Sequence, residues 1–139
     1  PHPRLEARHG YARQLQQSYA DVARFTGYVA DDDVHRWFGA ADVAVLPYPT
    51  PHSSSGALAL ALAHETPLLV SRAMATTSGL PAELAFADAA DLSRRLDALA
   101  ARPAERAAMQ AAVAHLRQER GWHAVAQRHL EVYDGLRAA

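Results

Sequence analysis

Residues 42–47 read Asp-Val-Ala-Val-Leu-Pro, a run of apolar side chains closed by a turn residue at its end. A strand sends successive side chains to opposite faces, so a run without alternation must be covered on both. Strands of this kind belong to parallel sheets with helices packed on each side. The next segment makes the same demand. Gly56–Ala63 is Gly-Ala-Leu-Ala-Leu-Ala-Leu-Ala, a helix with no polar face, and residues 67–71 are a second largely apolar strand. Buried strand, buried helix, buried strand in this order predicts a doubly wound α/β sheet.

The remaining elements extend the pattern. Leu5, Tyr11, Leu15 and Tyr19 predict a helix over 5–19, and the β-branched and aromatic run 22–26, stopped by Gly27, predicts a strand. Asp31, Asp32 and Asp33 supply an N-cap and dipole-favoured acids to a helix whose Val34, Trp37, Phe38 and Ala41 form one stripe. A strand is expected at 43–46, a helix at 55–64, a polar loop after residue 71 and a short strand at 83–87. Three helices close the chain. Leu92, Leu96 and Leu99 stripe the first, and Pro103 opens the second, which carries Met109, Val113 and Leu116. Trp122, Val125, Ala126, His129, Val132, Tyr133 and Leu136 stripe the third. The helical periodicity puts Trp37 and Trp122 in the core. Three helices exceed what one sheet edge requires, so the last is expected to reach toward another domain.

Composition narrows the function. With 14 basic and 15 acidic residues there is no positive field to hold nucleic acid or an anionic membrane surface. The absence of cysteine removes a disulfide framework, a thiolate metal site and a thiol nucleophile, and fits a cytoplasmic location. The longest apolar stretch, Gly56–Ala63, is too short to span a bilayer, and no signal peptide is visible. The 139 residues start at Pro1 without Met, so they are expected to be one partial domain of a longer chain. Membrane association of that parent is not visible here. No metal is expected: His123 and His129, six residues apart, point about 120° away from each other on a helix. His52 and His64 fall at opposite ends of one helix, and no HExxH-like pair exists.

Ligands of open α/β sheets bind beyond the carboxyl ends of the strands. Two loops lie there: Thr-Gly-Tyr-Val-Ala-Asp-Asp-Asp from residue 26, and Pro-Tyr-Pro-Thr-Pro-His-Ser-Ser-Ser-Gly from residue 47. In the second, Ser54 stands where a nucleophile elbow would place its serine, but Pro47, Pro49 and Pro51 separate strand from helix where an elbow must join them. Two readings of the serines remain, a side-chain cap and an anion cradle made by the first N–H groups of the helix. Tyr28 in the first loop suits a planar base or simple packing on the sheet edge, and Tyr48 orients its own loop.

The order of "VARFTGYVADDDVHRWFGAADVAVLPY", "SSSGALALALAHETPLLVS", a Glu-bearing loop and a Trp-led last helix resembles the C-terminal half of GT-B glycosyltransferases, most nearly the retaining family 4 (glycosyl transferases group 1), over residues 22–136. The resemblance implies a Rossmann-like three-layer α/β domain with a parallel sheet, a partial C-terminal half of a GT-B fold carrying extra C-terminal helices. It implies a domain that binds a nucleoside diphosphate sugar and serves a hexosyl transfer to an acceptor hydroxyl with retention. Ser54, Ser55, Gly56 and Ala57 would receive the diphosphate, Tyr28 and Val29 the nucleobase, and His52 and Ser53 would lie near the donor sugar. No catalytic residue, metal or cofactor is expected in this segment. The N-terminal GT-B domain of the same chain would be its partner, and the 139 residues alone would not turn over.

The chain departs from its apparent relatives at three places. Aligned on Thr66 and Pro67, the family's two glutamates fall at His52 and Leu60, and its Gly before Thr-Pro is Glu65. A left-handed conformation at Glu65 would cost about 1 kcal/mol. These departures leave an alternative, a degenerate, non-catalytic binding or assembly module. An unrelated flavodoxin- or receiver-like regulatory domain fits less well, because no acidic cluster lies at the strand ends and Asp42 begins its strand.

Overall fold

A computed structural model describes residues 10–50 and 55–137. The part of the predicted first helix at residues 5–9 lies outside the described residues. The chain divides after Asp33 into two units.

The first unit holds α1, Tyr11–Ser18. Its end turns back through Tyr19, whose carbonyl accepts from the N–H groups of both Val22 and Ala23. The strand expected at 22–26 does not form. Val22 is 81% exposed and Phe25 40% exposed. The physical reason is pairing. β propensity describes how side chains fit a pleated surface, and among the described residues of this unit no neighbouring strand takes up the N–H and C=O groups of 22–26. Helix α2, Asp31–Ala40, runs across the division, with Val34–Ala40 in the second unit. It carries Asp31, Asp32 and Asp33 in its first turn, where the dipole favours them, although Ala30 rather than an aspartate precedes the helix.

The second unit is built on three parallel strands, β1 (Ala44–Leu46), β2 (Leu68–Ser71) and β3 (Ala85–Phe86), in the order β1-β2-β3. Ala44 pairs with Leu68 and Leu46 with Val70, while Val70 and Ser71 pair with Ala85 and Phe86. The helices are α3 (Gly56–Ala63), α4 (Arg72–Thr77), α5 (Ala89–Ala101), α6 (Pro103–Arg120) and α7 (Trp122–Arg137). A single 3-10 turn, Ala82–Leu84, leads into β3 among the described residues.

The apolar strands are covered on both faces, as their composition requires. Leu46, Leu68 and Val70 meet Leu58, Ala61 and Leu62 of α3, Met74 of α4, and Val113 and Leu116 of α6. Leu69 and Phe86 face the other way, onto Leu92, Leu96 and Leu99 of α5. Leu68, Leu69 and Val70 are wholly buried. Fully burying one such side chain contributes about 1.5–3 kcal/mol, so the central strand anchors the domain.

Helix α4 stands where a polar loop was predicted. Its six residues bury only Met74 and Ala75, too few for a periodic signal. The two tryptophans are not core residues. Trp37 is 49% and Trp122 89% exposed. In α7 only Ala124 and Val125 are half-buried, and Leu130, Val132, Tyr133 and Leu136 all face solvent. The stripe is real, but nothing among the described residues covers it beyond the first turns.

Three arginines of α6 grip the turns that precede the three strands. Arg106 pairs with Asp42 ahead of β1 at 3.2 Å, and Arg117 pairs with Glu65 ahead of β2 at 2.6 Å. Arg120 donates to the carbonyls of Ser78 (2.7 Å) and Gly79, in the connection that leads to β3.

Candidate functional site

The carboxyl end of β1 leads through Pro47, Tyr48, Pro49 and Thr50 toward Ser55, the residue before α3. His52, Ser53 and Ser54 lie outside the described residues. Ser55 is extended (φ −140°, ψ 113°), and its Oγ accepts from the Leu58 N–H at 3.2 Å. The cap therefore forms. Ser55 takes only one of the first-turn donors, and among the described residues nothing accepts from the N–H groups of Gly56 and Ala57. The serine hydroxyl also keeps its own proton to donate, because it acts as acceptor toward Leu58. A side-chain cap and open N–H donors thus coexist at one helix end.

The surroundings suit an anion. Helix α3 carries no acidic side chain in its first turn, so the partial positive charge of its N-terminus is not neutralised there. Gly56 is exposed, and a Cβ built on it would meet no atom within 4 Å. Its φ is not positive, so neither packing nor backbone geometry requires glycine. What an absent Cβ leaves open is close approach from outside.

The loop after β1 is tied down by a residue that sequence reasoning missed. Ser71, the last residue of β2, donates from Oγ to the Tyr48 carbonyl at 2.6 Å and accepts from the Met74 N–H at 3.3 Å. One hydroxyl thus caps α4 and holds the departing β1 loop against the central strand. The available signal was a serine directly between an apolar strand and a short helix. The half-buried Tyr48 packs on the core, which agrees with its expected role of orienting the loop.

The other end of α3 is set by Glu65, which adopts φ 53°. The Thr66 N–H donates to the Ala61 carbonyl at 3.0 Å and the Glu65 N–H to that of Leu62 at 3.1 Å. This is the Schellman arrangement, with glutamate at the position glycine normally fills. Its carboxylate reaches Arg117, and the buried Thr66 donates from Oγ1 to the Phe38 carbonyl at 3.0 Å. Leu60 is 38% exposed on α3, and its side chain offers no hydrogen-bond acceptor.

Tyr28 and Val29 belong to the first unit, whereas Ser55, Gly56 and Ala57 belong to the second. Gly27 has φ 70°, a turn conformation that glycine takes without penalty. It presents the Tyr28 ring 87% exposed, with the hydroxyl donating to Asp31 Oδ1 at 3.3 Å, while Val29 is half-buried. No group of three or more His, Asp or Glu side chains that could hold a metal ion occurs among the described residues. No helix among them is long and apolar enough to cross a membrane.

No curated protein and no solved structure matches the chain significantly. A family model does. Described as "Glycosyl transferases group 1", it matches residues 4–102, a segment that runs from α1 through the three-stranded sheet to the end of α5. The parallel sheet with helices on both faces agrees with that match, and the chain belongs to the glycosyl transferases group 1 family.

Proposed function

We propose that this chain is the donor-binding part of a glycosyltransferase, with the diphosphate of a nucleoside diphosphate sugar seated at the N-terminus of α3. Family membership supports glycosyl transfer as the general role. The observation that carries the finer reading is the division of donors at Ser55. Its Oγ satisfies Leu58, while the N–H groups of Gly56 and Ala57 have no acceptor among the described residues. In the reaction, the bond between the sugar C1 and the diphosphate oxygen breaks and its electron pair passes to that oxygen. These N–H groups, with the hydroxyls of Ser54 and Ser55, stabilise the charge that develops there. The acceptor hydroxyl forms the new C1–O bond and passes its proton to the departing diphosphate.

The resemblance supplies the other assignments. Tyr28 and Val29 meet the nucleobase, His52 and Ser53 lie near the donor sugar, and the transfer is of a hexosyl group with retention. An N-terminal GT-B domain of a longer chain brings the acceptor, so these 139 residues bind donor without turning it over. A second reading, a non-catalytic binding or assembly module, is favoured by Leu60, which presents an apolar side chain where the relatives carry a glutamate.

Calorimetric titration with UDP-, GDP- and ADP-sugars tests the donor site, and binding of at least one at millimolar concentration is expected. No binding of any of them refutes the assignment. Ser55→Asp sharpens the test, because aspartate caps a helix as well as serine does but sets a carboxylate against the diphosphate. Affinity is expected to fall by at least roughly tenfold, the scale of one charge-assisted hydrogen bond. Unchanged affinity places the diphosphate elsewhere.

A further inference from the structure

A hollow of about 310 Å³ lies between α4 and α5, over Ala85 of β3. Arg72 and Thr76 line it from α4, Asp91 and Arg95 from α5, and Leu80 and Ala85 supply apolar wall. These polar groups are unequally engaged. Asp91 is fully occupied: its carboxylate accepts from the Ala87 N–H at 2.9 Å, from Arg94 at 3.0 Å and from Arg95 at 3.2 Å. Arg95 uses Nε on Asp91 and Nη1 on the Glu83 carbonyl, leaving Nη2 without a partner among the described residues. Arg72 is exposed, and no described residue pairs with its guanidinium. The Asp91 carboxylate is shared by Arg94 and Arg95, so the hollow is net positive, and Arg72 carries a guanidinium charge with no carboxylate beside it among the described residues.

We propose that this hollow is a binding site for a small carboxylate. The carboxylate would take the planar fork of Arg72, with Arg95 Nη2 and the Thr76 hydroxyl as further donors, and a neutral body would cover Leu80 and Ala85. Arg72 offers one unpaired guanidinium, and guanidinium meets carboxylate through two parallel hydrogen bonds. The volume, about 310 Å³, leaves room for a body beyond the charged head. The site uses none of the residues assigned to the sugar donor and does not depend on that reading.

The test is an NMR titration of the intact chain with benzoate and with benzamide, its neutral isostere. Benzoate is expected to shift the amides of residues 72–76 and 91–95 saturably in the millimolar range, and benzamide to leave them unmoved. Arg72→Gln, a change at an exposed side chain, is expected to weaken benzoate at least roughly tenfold, and Arg72→Lys to retain part of the affinity. Equal response to benzamide, or benzoate affinity unchanged in Arg72→Gln, overturns the proposal. Phenyl phosphate binding more tightly than benzoate at these amides overturns the choice of a carboxylate in favour of a phosphomonoester.

Discussion

Replacing Glu65 by glycine is expected to stabilise this protein, although it removes an ion pair. Glu65 sits at φ 53°. A residue with a Cβ in that conformation costs roughly 1–2 kcal/mol. Glycine removes the cost but gives the unfolded chain extra freedom, which offsets roughly 0.5 kcal/mol. The net gain is about 1 kcal/mol by these magnitudes. Against it stands the bond to Arg117 at 2.6 Å, between side chains 37% and 54% exposed for glutamate and arginine. Solvent screening limits such a pair to about 0.5 kcal/mol. Glu65→Gly should therefore exceed the parent by about 0.5 kcal/mol, and Glu65→Ala should fall about 0.5 kcal/mol below it. Both variants lose the pair, so the gap between them, about 1 kcal/mol, isolates the backbone conformation. Urea denaturation followed by circular dichroism measures all three. Adding Arg117→Gln to Glu65→Gly should change nothing further, because the partner has already gone. Glu65→Gly no more stable than Glu65→Ala would refute the reasoning.

Two other outcomes follow from hydrogen bonds at strand and helix ends. Ser71→Ala loses both the α4 cap and the tie to the Tyr48 carbonyl, and should cost about 1–2 kcal/mol in urea denaturation, whereas Ser71→Thr keeps a hydroxyl and should lie within about 0.5 kcal/mol of the parent. A Ser71→Ala midpoint equal to the parent's would show that the loop needs no tie. The Ala87 N–H first, then Arg95 and Arg94, hold the Asp91 carboxyl below its ordinary 3.8. A folded value depressed in this way stabilises above the unfolded pKa, and that stability is lost as pH falls through the folded one. The advantage of the parent over Asp91→Asn should accordingly shrink below pH 3.8, and a difference constant from neutral to strongly acidic pH would contradict the assignment.

What could be seen in the sequence was what local pattern determines. The strands around Val45 and Leu69 were legible because an apolar run with no alternation has few places to go. Ser55 as a cap, Pro103 at a helix start and the conformation of Glu65 were legible from their position at helix ends. The missed features depend on partners distant in sequence. Residues 22–26 have the composition of a strand, but a strand exists only where something pairs with it. The stripes holding Trp37 and Trp122 predict an apolar face without saying whether anything covers it. The roles of Ser71, Arg117 and Arg120 rest on partners remote in sequence, the Tyr48 carbonyl, the Glu65 carboxylate and the Ser78 carbonyl, which no local pattern announces.

The grip of α6 on the turns ahead of the strands gives the domain an amino end held at three points and a carboxyl end that carries the loops. Arg106, Arg117 and Arg120 hold the amino side of the sheet, at Asp42, Glu65 and the Ser78–Gly79 carbonyls. On the carboxyl side of β1, the described tie from a side chain to the departing loop is the bond from Ser71. A binding loop can then be lengthened, shortened or rewritten at its tip while the strands stay in register, because the groups that set that register sit at the opposite end. Such a scaffold can change what it binds faster than it changes how it folds.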